Sequence, residues 1–410
     1  MSTPAELYRN AVDLNRFSNS VSKRIAVTYN DFILDAVDKL RGIDELAAPA
    51  KAARLRAILA ELKSSLDGWA ATSTTSVVND LQGLAVLQDE FTTEQLRRAL
   101  PLELRDQVRS VTISPNFAQS VATVDPTAIN VVSLSDDLAA AVSGAPQTFQ
   151  LTAAQGTTMT LPNGKVLEKS FRGLAESQAD LFARTVRNGL ISGESPDAIA
   201  RELKGSLRFD QPGSARQIAA AGRRVTSMAN HQIIALVRTS INQVANETSQ
   251  QVYKANQDVT QRYRYVATLD SKTSPICRAL DGQEFEYGKG PTPPQHFNCR
   301  STTVPIINYE GLGLTPPPPS DLRRPNTVSG PSRVRREATV PENQTYGQWL
   351  ELQSRAVKED VLGPTRVAYF ERLVDKYGPT DAIRKFVARD GSELTLAQLR
   401  RRGYGLPPSD

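Results

Sequence analysis

Two apolar stripes at helical spacing set the character of the first hundred residues. Tyr29, Phe32, Ile33, Ala36, Val37 and Leu40 recur on one face, and Leu55, Ile58, Leu59, Leu62, Leu66 and Trp69 repeat the pattern. A run with this period can gather its apolar residues on one side only as a helix. Gly42 and Pro49 punctuate the join, so the two stripes predict an antiparallel helical hairpin. A further short helix is expected from Thr92 or Thr93 to just before Pro101. Residues 1–110 therefore read as a helical region able to dock on a partner, with ordinary core packing as the plain account of the same stripes.

The texture changes over 111–169, where Thr, Val, Ser and Pro replace charged residues. Met159–Leu161 and Lys165–Leu167 flank Pro162-Asn163-Gly164, a turn signal for a hairpin inside a mixed strand and loop insertion. Helices resume with Phe171, Leu174, Leu181, Phe182 and Val186, ending near Asn188-Gly189. Ser195-Pro196-Asp197 then opens a helix with a hydroxyl cap, a proline at the first helical position and an acid favoured by the dipole. A long helix is expected from Ser227 to Asn256, carrying His231 as a surface or packing histidine. Arg262 to Thr268 alternates with period two and predicts a strand that delivers Asp270 to the segment that follows.

Pro316-Pro317-Pro318-Pro319 can join neither helix nor sheet, so 308–342 reads as a linker in extended polyproline form. Arg323, Arg324, Arg333, Arg335 and Arg336 lie there among Pro, Ser and Gly. They suit a solvated tether, or an arm that touches phosphates or an acidic partner. Residues 343–410 return to compact helical sequence. The fold class is thus mainly α with a small α+β module: N-terminal helical hairpins, central helices leading into a short-strand segment, the linker, and a small helical cap. No apolar run is long enough to span a bilayer, and the N-terminus has no basic-then-apolar signal, so no membrane partner is expected. The net charge of +5 permits contact with nucleic acid without requiring it.

Both cysteines and one of the two histidines fall between Leu269 and Pro305. Three accounts of Cys277, His296 and Cys299 compete. As soft and borderline ligands they could hold a zinc ion, with Asp270 or Asp281 as a fourth, although structural zinc sites normally take four Cys or His ligands. As a disulfide, Cys277 and Cys299 would close a loop worth about 3 kcal/mol of chain entropy. Synthesis in a reducing cytoplasm argues against its early formation. As a nucleophile and base they would catalyse, but no nucleophile elbow or protease signature accompanies them. A structural clasp made by Cys277, His296, Cys299, Asp270 and Asp281 leads; no cofactor is certain, and one zinc ion is the candidate. The enzyme alternative is a metal-dependent hydrolase or nuclease built on Asp270, Cys277, His296 and Cys299, with Asp281 as general base.

The ordered set Asp270, Thr273, Cys277, Leu280-Asp281-Gly282, Pro293-Pro294, His296 and Cys299-Arg300 resembles the C-terminal motif of the phage Mu F-like head morphogenesis, or minor head protein, family. Arg238-Thr239, Asn242, Asn188-Gly189-Leu190, Gly193 and Ser195 extend the resemblance over 170–307. Tyr346 to Leu350 and Asp360 to Arg366 are similar to the C-terminal extension of some members. Many relatives carry further cysteines where this chain has Ser274 and Ser301, so a four-thiolate site is not available. The resemblance implies a virion protein near the portal vertex of a tailed-phage head. Its partners would be the portal and other head proteins and packaged DNA; it would be present in several copies and act by binding rather than turnover.

Overall fold

The structure, a computed structural model, describes residues 3–43, 48–114, 167–192, 194–204, 225–317, 323, 340–388 and 391–404. It is mainly helical with one small antiparallel sheet, the architecture expected from the sequence. The chain divides into two compact units. One comprises Met1–Asn15, Gln82–Gly164 and Ile241–Asp410, the other Arg16–Leu81 and Lys165–Ser240.

The second unit is built from the expected stripes. Helix α1 (Thr3–Arg41) and helix α2 (Ala48–Ala99) meet there through Ile33, Val37 and Leu40 of α1 and Ile58, Leu62, Leu66 and Trp69 of α2, all buried. The Trp69 indole donates to the Ile25 carbonyl at 3.2 Å, and its ring lies 5.3 Å from Tyr29 and 5.7 Å from Phe171. Phe171 belongs to α3 (Leu167–Ile191), which runs past Asn188-Gly189 because the chain beyond caps their carbonyls: Ser192 N–H donates to Asn188 and Glu194 N–H to Gly189. The Ser195 hydroxyl then accepts from the Ala198 N–H at 3.2 Å and starts α4 (Pro196–Lys204), as its sequence predicts. The hairpin expected around Pro162-Asn163-Gly164 lies outside the described residues.

One expectation fails. No new helix begins at Thr92 or Thr93, because α2 continues unbroken to Ala99. With no proline or glycine nearby to stop it, the threonine hydroxyls bond sideways instead of capping. Thr92 meets Gln88 and Ser249, and Thr93 donates to Asp89. Ser249 lies on α5 (Val225–Ala255), whose first turns carry His231 exposed and whose last turns bury an unusual run of polar residues, among them Gln243, Asn246, Glu247 and Gln250.

Helix α5 feeds β1 (Thr260–Val266), the central strand of a three-stranded sheet in the order β2-β1-β3, with β2 at Glu284–Glu286 and β3 at Thr302–Ile307. Pairing is antiparallel on both sides, with Tyr263 opposite Phe285 on one and Pro305 on the other. Proline is tolerated at that point because β3 is an edge strand. Tyr263 and Tyr265 point into the core while Arg262 and Arg264 face outward, the period-two alternation expected. Between β1 and β2 sits α6 (Pro275–Leu280).

After β3 the chain does not become a free tether at once. Leu312 and Leu314 pack against the cluster of Leu96, Leu100, Val108, Val252 and Tyr253. The C-terminal extension follows as α7 (Tyr346–Glu351), α8 (Arg355–Leu362), α9 (Pro364–Tyr377), α10 (Pro379–Arg384) and α11 (Leu396–Leu399). Thr345 with Gln348 and Thr395 with Gln398 form capping boxes at the starts of α7 and α11. Trp349, Leu350, Leu362, Tyr369 and Phe370 are buried in one core with Tyr265, Ile276 and Leu280.

Helix α7 crosses the start of α10 at backbone contact. A Cβ on Gly347 would lie 2.1 Å from the Pro379 carbonyl oxygen, so only glycine fits. Gly347→Ala is expected to destabilise the protein by about 1–3 kcal/mol through forced separation of these helices. Urea unfolding checks this, and an unchanged midpoint would contradict the contact.

Burial holds the Glu247 carboxyl above its ordinary value, against the smaller opposing effects of Lys254 and of the Gln251 amide, which donates to it at 2.6 Å. The folded state therefore binds this proton more tightly than the unfolded chain. Its contribution to stability is full at pH below the ordinary carboxyl value and is lost as pH rises through the folded one. Glu247→Gln should flatten that decline and raise the unfolding temperature at neutral pH. A melting series from pH 4 to 8 on both proteins measures it, and parallel curves would refute it.

Candidate functional site

The segment between β1 and β3 carries the site, and its turns are made by the motif residues themselves. Asp270 leaves the strand first. Its Oδ1 accepts from the Lys272 N–H at 2.9 Å and the Thr273 hydroxyl at 3.1 Å, which curls the chain toward α6. Ser274 caps α6 by accepting from the Cys277 N–H, and Pro275 occupies the first helical position. The helix ends at Asp281, after which Gly282 takes a φ of 77° that side chains disfavour; a Cβ there would also strike Thr345 at 2.7 Å. The return loop contains a cis Pro293–Pro294 bond and Asn298 in the left-handed region at φ 62°, a conformation asparagine tolerates. That turn, closed by the Cys299 N–H donating to the His296 carbonyl, brings His296 and Cys299 to the same point as Cys277.

At that point the Cys277 and Cys299 sulfurs are 3.8 Å apart, and the His296 Nε2 is 3.3 Å from the Cys277 Sγ. All three candidate ligand atoms lie within 4.8 Å of one another. Both cysteines are free thiols and buried, while His296 is half-buried. His296 Nδ1 lies 2.8 Å from the Phe297 carbonyl oxygen. A carbonyl can only accept, so Nδ1 carries a proton in either charge state, while Nε2 faces the sulfurs, donating to a thiolate when protonated and presenting a lone pair when neutral. The Tyr265 hydroxyl completes the surround at 3.2 Å from the Cys277 Sγ.

The electrostatics divide the two thiols. Burial, reinforced by the neighbouring Cys299, pushes Cys277 well above its ordinary value. Burial opposes the same ionisation at Cys299, but hydrogen bonds from Cys277 and His296 and the charge of the imidazolium hold it well below. His296 is correspondingly raised: burial works against its charge, and the Cys299 sulfur and Phe297 carbonyl outweigh it. Chemically, the cluster offers two sulfur donors and one imidazole nitrogen to a soft or borderline ion, or two sulfurs to a disulfide.

The two carboxylates expected beside them lie elsewhere. Asp270 is fully buried and paired with Arg300 through both oxygens, at 2.5 and 2.8 Å. Asp281 is just as buried. Its Oδ1 accepts from the Ala267 N–H at 2.6 Å and from Arg323 at 2.7 Å, and its Oδ2 from the Tyr346 N–H at 2.6 Å and again from Arg323 at 3.1 Å. Both carboxylates clasp the fold through arginines rather than through an ion, and Asp281 has no oxygen left for a general base.

Arg323 therefore requires a correction. It is not a solvated or phosphate-binding arginine of the linker but a buried one, 4% exposed. Besides Asp281 it donates to the carbonyls of Ala267, at 2.6 Å, and Gln344. Its backbone pairs with Val340 in an isolated antiparallel bridge. Arg324, Arg333, Arg335 and Arg336 lie outside the described residues. Sequence reasoning also missed Arg278, which is buried on α6, donates to the carbonyls of Thr273 and Val361, and sits 5.8 Å over the Tyr346 ring. An arginine inside the short apolar helix Ile276–Leu280 was the available signal, since such a charge needs acceptors wherever it is buried.

Residues 180–304 match the family described as Phage Mu protein F like protein, and this segment of the chain is Mu F-like. Comparison with curated proteins and with solved structures gives no significant match. The matched range covers both cysteines, His296, Asp270, Asp281 and Arg300, and ends inside β3.

Removing Arg323 would leave Asp281 charged, buried and short of two donors. Arg323→Ala is expected to cost about 3–5 kcal/mol, the range for breaking a buried ion pair from one side. Chemical denaturation gives the value, and a change within about 0.5 kcal/mol, typical of surface sites, would return Arg323 to the linker.

Proposed function

We propose that this protein acts in phage head morphogenesis as a minor head protein, binding the portal or inner shell of the head without catalytic turnover. The observation that carries the reading is the Mu F-like match over 180–304, which takes in the segment between β1 and β3 where the motif residues come together. Head morphogenesis is the function to which that family points. Association with other head proteins, and a place in the virion, follow at the same level.

Physical features support binding over turnover. The motif carboxylates are held by Arg300 and Arg323, and Asp281, the general base named for the hydrolase alternative, is saturated by its donors. No helix among the described residues is long and apolar enough to cross a membrane. Arg324, Arg333, Arg335 and Arg336 retain the character of an anion-binding segment in the sequence, and we assign to them the contact with packaged DNA.

Two measurements test the proposal. Mass spectrometry of gradient-purified procapsids and mature virions from the source phage should find the protein at a few to a few tens of copies, enriched with the portal; absence from both particles sinks it. Plasmid DNA incubated with the protein and added divalent metal should stay intact. Cleavage that disappears in His296→Ala would instead establish the nuclease.

A further inference from the structure

We propose that Cys277, His296 and Cys299 form a zinc(II) site that ties α6 to the loop preceding β3. The proposal rests on the geometry of the three side chains and stands apart from the head-protein reading.

An ion held tetrahedrally at about 2.3 Å from sulfur and about 2.0 Å from nitrogen separates two sulfur ligands by ~3.8 Å and a sulfur from a nitrogen by ~3.5 Å. The two sulfurs of this cluster are 3.8 Å apart and the Cys277 sulfur is 3.3 Å from the imidazole Nε2. Two edges of one face of such a tetrahedron are thus in place, and all three ligand atoms lie within 4.8 Å of one another. A disulfide would need the sulfurs at about 2.05 Å, and it would leave the imidazole without a role.

The supports around the ligands match what a metal requires. A ligating histidine donates its other ring N–H to a carbonyl or carboxylate, which fixes the tautomer and aims the lone pair. His296 does this through Nδ1 to the Phe297 carbonyl at 2.8 Å. Cys277 is held in place by the Ser274 cap, which accepts from its backbone N–H, and by the Tyr265 hydroxyl beside its sulfur. Both sulfurs are shielded while the imidazole reaches the surface, so the ion has an approach on the histidine side. Two thiolates and one imidazole favour zinc over hard cations such as magnesium or calcium.

The site would cross-link two stretches that β2 and a turn rich in glycine and proline separate in sequence. It lies in the core that includes Trp349, Leu350 and Phe370 of the extension. Metal binding should therefore stabilise the whole of that core, because a site assembled only in the folded state adds its binding energy to folding.

The test uses the full chain, purified under reducing conditions and desalted. Elemental analysis should find about one zinc per protein, and cobalt(II) exchanged into the site should give the intense visible bands of a tetrahedral ion with sulfur-to-cobalt charge transfer in the near ultraviolet. His296→Ala, which alters a half-buried side chain, should retain the fold by circular dichroism and lower metal affinity at least tenfold. Chelator should lower the melting temperature of the wild type and leave that of Cys277→Ser/Cys299→Ser unmoved. The proposal is overturned if the wild type holds no zinc and binds none from micromolar solution. A quantitative Cys277–Cys299 disulfide in protein isolated without oxidant, or a cobalt spectrum lacking sulfur charge transfer, overturns it equally. The wild-type readings decide the matter even if the cysteine variant fails to fold.

Discussion

A buried carboxylate must be paired, and the pairing of Asp281 organises everything around it. Four donors converge on its two oxygens: the backbone N–H groups of Ala267 and Tyr346, and both ends of the Arg323 fork. Those donors come from the end of β1, from the start of α7, and from a point in the stretch after the prolines. One charge therefore holds three distant pieces of chain in register. A bidentate arginine suits the task better than lysine, because its planar fork meets both carboxylate oxygens while its remaining donors reach carbonyls. Asp270 repeats the device with Arg300, and its own carbonyl takes the Tyr346 hydroxyl at 2.7 Å. Such pairs bring specificity more surely than net stability, since desolvation offsets much of their attraction. They fix which segment returns to the module, and where.

The helices were legible because the physics that forms them is periodic. The stripes of α1 and α2 and the Ser195 cap each declare themselves within a few residues, and each stands where expected. The end of the first hairpin was less legible. Thr92-Thr93 looks like a start signal, yet a threonine in mid-helix can satisfy its hydroxyl against Ser249, which lies 157 positions away from Thr92 in sequence. The cysteine cluster was legible through scarcity: two cysteines and a histidine in one short stretch have few reasons to be together. What could not be read was the partner of each carboxylate. Asp270 and Asp281 have the spacing of ligands, and spacing does not distinguish an ion from a guanidinium. Arg323 sits among prolines, serines and glycines that suggest solvent, and the partner that buries it lies 42 residues earlier.

These contacts assign the chemistry of the motif to architecture. Thr273 and Ser274 turn and cap, Asp270 and Asp281 anchor arginines, and Gly282 clears space for Thr345. The cysteines and His296 are the remaining polar groups that face one another without an arginine among them. The module thus contains two kinds of clasp. One is ionic and saturated. The other is the soft cluster proposed as a zinc site, whose three ligand atoms lie within 4.8 Å of one another. On the head-protein reading proposed above, such fastenings suit a chain that must keep its shape while neighbours are added to a larger assembly.

The family match stops at residue 304, but the folding unit does not. Tyr263, Tyr265, Ile276 and Leu280 from the matched segment share one core with Trp349, Val361, Phe370 and Leu399 from the extension. Polar contacts cross the same boundary: Tyr346 N–H to Asp281, the Tyr346 hydroxyl to the Asp270 carbonyl, and Arg278 to the Val361 carbonyl. Cutting the chain after the match would leave a buried arginine and a buried aspartate each short of a partner, and would expose one side of the core. Neither half can therefore be treated as an appendage of the other. The position of Arg323 follows from this: between β3 and α7 the chain is pinned at Arg323, whose buried side chain reaches both oxygens of Asp281.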